Sequence, residues 1–385
     1  MKPSVLILIT GIFALALFAC AQPPVPPRGG GVAALRSQTA VVCTLPTFLS
    51  KVHYLAQTPA FSLPDSGFQN APPIDSTPVN ANITQDLTDA FNIAPDFFKS
   101  QLCNLTGIYI DRTGCSSYDP SSCSGPDPSD RLWGFRAFDG SGNSAGEFIG
   151  TWLGLWQNGI QGHAPVLSSF ETGRLQALLN WSQPSHKPPA HELVDPDTSK
   201  MTVLAVLAHE VGHVFWYDVF VVKADGSPNP GGPADFSQFC GGTFYQPVGV
   251  GQQGSWILPP TVPDGRWISF GEPRNYHRAD DVDMTKLGFA LDHRRFPHAG
   301  DLLHGIFSDI QNGRWASALA SFSTDEDFVE TFQLFVLRHS RTPLKNSRVK
   351  IFGTGGRIYS DDIPYTFNQR PELVRKSGCF DYLLP

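Results

Sequence analysis

From Met201 to Phe215 the chain carries apolar residues on almost every side of a 3.6-residue repeat: Val203, Leu204, Val206, Leu207, Val211, Val214 and Phe215. A helix that is apolar all round is a buried helix. Asp195-Pro196-Asp197 ahead of it supplies start signals, Asp for an N-cap and Pro for a first turn, and the pattern runs out over residues 216–220. A second clear helix is predicted from about Thr324 to Arg338, and shorter helical patterns span Leu87–Leu105, broken at Pro95, and Leu175–Trp181. Gly107–Asp111 and Leu132–Phe138 read as strands. Phe148–Trp156 is apolar and aromatic with no period that decides between strand and helix. Residues 60–82, 112–130 and 224–275 are dense in Gly, Pro, Ser, Asn and Asp and read as loops. No internal repeat is present.

The first residues have a different logic. Lys2 is followed by a continuous apolar stretch, Val5–Phe18, the pattern of an export signal rather than of a folded element. It ends in Leu17-Phe18-Ala19-Cys20, which resembles a bacterial lipobox, so Cys20 is the expected site of lipidation. An ordinary signal peptide, cut after Ala21, is the competing reading. The Pro/Gly-rich residues 21–40 read as a tether, and residues 41–385 as one domain with a loop-rich insertion over about 224–310. The expected location is therefore outside the cytoplasm, lipid-anchored at the outer membrane or cell surface. Cysteine usage fits export: apart from Cys20 there are six, an even number, and Cys115 and Cys123 flank one short polar loop and are the expected local pair. A net charge of −7 with 28 Lys and Arg and no basic run gives no support for nucleic-acid binding.

The candidate chemistry sits inside the apolar helix. His209-Glu210-Val211-Gly212-His213 is an H-E-x-x-H motif. Residues i and i+4 share a helical face, so two imidazoles reach one metal, and the Glu beside them can act as general base on a water that zinc has made acidic. Two His and a Glu in such a setting are costly to bury without a metal or a partner. The competing structural reading is a pair of hydrogen-bonded core histidines.

A catalytic zinc site needs a third protein ligand. Trp216 and Val219 stand where a metzincin carries Gly and His, and Gly353-Thr354-Gly355-Gly356 lacks the Asp of an aspzincin. Glu326-Asp327-Phe328-Val329-Glu330-Thr331-Phe332, in contrast, resembles the E-(D/F)-F-A-E-x-F helix of gluzincin-like zinc peptidases. The resemblance covers the two helices alone. It implies Glu326 as the third zinc ligand and Glu330 as the acid that supports a ligating His. It also implies an α+β, zincin-like fold: a small N-terminal sheet with the H-E-x-x-H helix, a mostly helical C-terminal subdomain, and a cleft between them for a peptide along an edge strand. Read from the residues, Ser323-Thr324-Asp325-Glu326 is also a capping box, in which Glu326 only closes a helix start, and Glu330 could be a solvated surface acid.

The expected function is zinc-dependent hydrolysis of peptide bonds, with Glu210 as general base and His209, His213 and Glu326 as zinc ligands. The alternative is a non-catalytic extracytoplasmic zinc- or ligand-binding lipoprotein that keeps the scaffold. Tyr276 and His277 are candidate oxyanion stabilisers, with an ordinary loop as the competing reading. Anchoring is directly testable. Cys20→Ser should move the protein from the membrane to the soluble fraction and abolish palmitate labelling; labelling that survives the substitution would refute the lipobox.

Overall fold

The computed structural model describes residues 43–55, 74–105, 107–111, 134–138, 151–156, 164–178, 187–216, 219–220, 240, 244–246, 255–257, 316–317, 320, 324–353, 356–363, 376–380 and 383–384. Helix α1 (Leu45–Leu49) opens with Pro46 in its first turn and Thr44 as N-cap, whose hydroxyl accepts from the Thr47 N–H. Strands β1 (Val52–Leu55) and β2 (Ile74–Asp75) follow, then α2 (Ala81–Ile93), α3 (Asp96–Asn104) and β3 (Gly107–Asp111). Pro95 separates α2 from α3, as its missing N–H and fixed φ require. With β4 (Gly134–Phe138) and β5 (Thr151–Trp156) these strands make a mixed sheet in the order β2-β1-β3-β5-β4. β1, β3 and β5 run parallel, and β2 and β4 are antiparallel edges. The ambiguous segment before Trp156 is thus a strand, paired with β3 on one edge and β4 on the other.

Helix α4 (Leu167–Leu178) begins eight residues before the predicted start at Leu175, and Asp197 explains why. Its carboxylate takes the Ser168 N–H at 2.9 Å and the Ser168 hydroxyl, capping the first turn of α4 from 29 residues away. The Asp197 oxygens are thus committed to α4, and α5 (Ser199–Trp216), expected to begin near Asp195-Pro196-Asp197, starts two residues beyond Asp197, with Met201 and Thr202 bonding back to the Thr198 carbonyl. Every residue of α5 from Met201 to Trp216 is buried except His209, as its all-round apolarity predicts. Between α4 and α5, strand β6 (Ala190–Leu193) pairs with β9 (Ser347–Gly353), which pairs with β10 (Gly356–Ile363). β7 (Phe244–Gln246) and β8 (Ser255–Ile257) form a small hairpin within the predicted loop-rich insertion.

Helix α6 (Thr324–His339) packs along α5, and α5 also touches α2, α3, α4, β4 and β5, so it is the hub of the core. The α5–α6 contact centres on Gly212, where an added Cβ would lie 3.3 Å from Phe332 Cδ1 and 3.4 Å from Val329 Cα. Around it Phe215, Trp216, Phe220, Phe328, Phe332 and Phe380 make a cluster of tilted and edge-on rings. Such pairs add to the roughly 1.5–3 kcal/mol from burying each large apolar side chain. Among the described residues two disulfides are formed at the core: Cys43–Cys103 joins the chain ahead of α1 to α3, and Cys240–Cys379 joins the insertion to the C-terminal segment. Cys115 and Cys123, the pair expected from sequence, lie outside the described residues, as do the export signal, Cys20 and the tether.

Beyond α6 the described chain adds two strands, β9 and β10, and a short turn of helix at residues 376–380. Lys350, on β9, pairs with Glu192 across the β6–β9 ladder.

The terminal turn is held by chemistry as well as by Phe380. Lys376 and Asp327 form an ion pair in which both side chains are at most 1 % exposed. Removing one partner of such a pair strands the other charge in the interior. Asp327→Ala should therefore cost about 3–5 kcal/mol in urea unfolding of the full chain, whereas Asp327→Leu combined with Lys376→Met should cost much less. A loss below about 1 kcal/mol for Asp327→Ala would show that the pair is not a structural tie.

Candidate metal centre

His209 and His213 leave α5 on the side that faces α6, and Glu326, in the first turn of α6, faces them. The two Nε2 atoms are 3.3 Å apart. Glu326 Oε1 lies 3.5 Å from His213 Nε2, and Glu326 Oε2 lies 3.8 Å from His209 Nε2. The three side chains are 16 %, 11 % and 18 % exposed, so the triangle is lodged in the protein yet open on one side. Glu326 directs its carboxylate at the imidazoles, which the capping-box reading does not account for.

The group is compact enough to hold an ion, with one ligand atom from each residue within 4.8 Å of the others, the two short Glu326 distances being to different oxygens. Ligands about 2.0–2.1 Å from a tetrahedral ion stand about 3.4 Å from one another. Two imidazole nitrogens and one carboxylate oxygen are a donor set suited to zinc and to other first-row divalent ions, with a fourth corner left over. Among the described residues, these three form the group of His, Cys, Asp and Glu side chains close enough to hold an ion.

Glu330, one turn beyond Glu326, sets the orientation of His209. Its Oε1 lies 2.7 Å from His209 Nδ1. An ionised carboxylate only accepts, so Nδ1 carries the hydrogen and Nε2 is turned toward His213 and Glu326. Glu330 is 2 % exposed, far from the solvated surface acid of the competing reading, and it also receives Arg174 Nη2 at 2.6 Å and the Ser317 hydroxyl at 2.5 Å. Burial alone would raise its pKa, but Arg174, His209 and Ser317 together hold the carboxyl well below the usual carboxylate range. Arg174 and Ser317 carry no motif and were not legible in the sequence. Glu210 is buried, and its charge is felt by His209.

The net field is negative. Burial pulls the His209 pKa down, but the charge of Glu326, the hydrogen bond to Glu330 and the charges of Glu210 and Glu330 outweigh it and lift it to about 9. Three carboxylates thus converge on an imidazole, with Arg174 as a compensating cation, and a divalent ion would balance the excess.

His191 lies in β6, where its backbone N–H donates to Thr172 Oγ1 and where burial, with Arg174 nearby, pushes its pKa down to about 4. Tyr276 and His277 lie outside the described residues. Comparison of the chain with family profiles, with curated proteins and with solved structures finds no match in any of the three.

The lifted pKa of His209 has a measurable consequence. Below pH 9 an incoming metal must displace a proton from this imidazole. Apparent zinc affinity should therefore rise by about tenfold per pH unit from pH 7 to 9 and then flatten. In the metal-free protein the sign is opposite. A raised folded pKa contributes stability that is fully present below the ordinary imidazole value of 6.5 and is lost as pH rises through about 9. Chelator competition and urea unfolding across this range test both arms; zinc affinity that does not change with pH would contradict the charge state assigned to His209.

Proposed function

We propose that this protein is a zinc-dependent metallopeptidase of zincin-like, gluzincin type, exported and held at a membrane by a lipid on Cys20. The observation that carries the reading is the donor triangle of His209, His213 and Glu326, with a buried acid, Glu210, beside it. No helix among the described residues is long and apolar enough to cross a membrane, so the anchor in this reading is the lipid.

The donor set fits zinc, which would be held by His209 Nε2, His213 Nε2 and a Glu326 oxygen and would supply Lewis acidity toward a water and a scissile carbonyl. The remaining work belongs to the chain. Glu210 accepts a proton from the attacking water as the new C–O bond forms. It then delivers that proton to the departing nitrogen as the C–N bond breaks, leaving a carboxylic acid and an amine. Glu330 keeps the His209 ring turned so that Nε2 faces the triangle. The side of the triangle away from the buried pair is where a peptide would enter, with β4, an edge strand that α5 touches, as the natural backbone partner.

Base and ligand are separable by substitution. Glu210→Gln keeps shape and removes the basic carboxylate; it should fold, bind zinc near stoichiometrically, and lose about two to four orders of magnitude in cleavage of a peptide library. Glu326→Ala should lose both metal and activity. Cleavage by Glu210→Gln at the wild-type rate would remove the catalytic reading and leave a metal-binding scaffold. Zinc retained by Glu326→Ala but lost on changing another downstream acid would remove the gluzincin assignment.

A further inference from the structure

The acid behind His209 is itself held from a third helix. Arg174, on α4, donates through Nη2 to Glu330 Oε1 at 2.6 Å and through Nη1 to Glu171 Oε1 at 3.2 Å. Glu171 also receives Gln333 Nε2 at 3.4 Å, and Gln333 lies one turn beyond Glu330 on α6. The four side chains therefore close a ring between α4 and α6. Two acids and one amide are buried in it, and one guanidinium spans the acids. The guanidinium Cζ lies over the Phe170 ring, 5.5 Å from its centroid. A planar fork bound at both ends and backed by an aromatic ring has little freedom to turn. A single ammonium could not occupy both positions at once.

A buried array of this kind is an inefficient way to tie two helices together, because apolar packing of equal volume often does as well or better. Its geometry has a second result. The nitrogen that Arg174 gives to Glu330 goes to Oε1, the oxygen that takes His209 Nδ1. Ser317 holds the other oxygen. The carboxylate is thus fixed at both ends, and the plane in which it meets the imidazole is fixed with it.

We infer that Arg174 is a positioning residue for the candidate metal centre: bridging Glu171 and Glu330, it locks the Glu330 carboxylate that turns His209 Nε2 toward His213 and Glu326. This deepens the proposed function and rests on His209 serving as a ligand. It differs from a structural tie between α4 and α6 in one respect, that its effect on the metal must pass through Glu330.

The test is a double-mutant cycle on the full chain, with zinc alone as the probe and chelator competition as the readout. Arg174→Met should weaken zinc by about 10–100-fold, Glu330→Gln by a similar factor, and the double variant by no more than Glu330→Gln alone. Factors that multiply in full would show that Arg174 does not act through Glu330 and would overturn the inference. Should Arg174→Met fail to fold, Arg174→Lys takes its place in the cycle, expected to weaken zinc by about three- to tenfold because one ammonium cannot span both acids; wild-type affinity would overturn the bridge. A second readout needs no metal. Long-range proton–nitrogen spectra of the metal-free protein, followed through the His209 titration to its neutral form, should show the Nδ1–H tautomer in wild type and mixed tautomers in the Arg174 variant. An unchanged Nδ1–H tautomer in the variant overturns the inference. A wild type that binds no zinc but shows the tautomer change supports the positioning role while removing the metallopeptidase reading.

Discussion

The distance at which α5 and α6 pass each other governs the rest of the site. At Gly212 the two helices approach until a Cβ would meet Val329 Cα and the Phe332 ring at 3.3–3.4 Å. A glycine in a helix interior costs about 1 kcal/mol relative to alanine, which argues against it unless space is worth more. Here the nearest atoms are side-chain carbons of Phe332 and Val329 at 3.3 Å, with the Val329 main chain at 3.4 Å, and overpacking a tight contact costs about 1–3 kcal/mol. With the helix axes drawn together there, the residues one turn before the contact and next to it can meet: His209 and His213 from one helix, Glu326 and Glu330 from the other.

The aromatic cluster behind Gly212 makes this approach stable, and its apolar character makes the polar side of the contact demanding. Glu330 at 2 % exposure could not remain ionised without Arg174, Ser317 and the His209 N–H. Glu171 is shifted the other way: burial, the largest influence on it, raises its pKa despite the neighbouring guanidinium. One arginine thus meets two acids in different charge environments, and the acid beside the histidine is the one kept firmly as a carboxylate. The site is built from the core outward, with each polar group secured by one set further from the open side.

Much of this could be read from the residues because a helical repeat converts sequence spacing into direction. The four-residue spacing of His209 and His213 puts both rings on one side of α5, and the same spacing puts Glu326 and Glu330 on one side of α6. The apolar surround of α5 foretold its burial. What spacing cannot convey is contact between segments remote in sequence. Arg174 sits 156 residues from Glu330 in an unremarkable stretch, and Ser317 has no motif. The cap that Asp197 supplies to Ser168, 29 residues earlier, was hidden for the same reason. Gly212 did leave a signal, a glycine inside an otherwise apolar helix, which marks a close approach. The strand character of the chain beyond α6 was hidden because β9 finds its central pairing with β6, more than 150 residues upstream, and not with its neighbours alone.

The account stands on a metal bound by two imidazoles and one carboxylate drawn from two helices. X-ray absorption at the zinc edge of the zinc-loaded full chain addresses that claim without reference to any substrate. The expected signal is a four-coordinate shell of nitrogen and oxygen at about 2.0–2.1 Å, with outer-shell scattering from two imidazoles and no sulfur. A sulfur shell, a six-oxygen shell, or scattering from fewer than two imidazoles would contradict it.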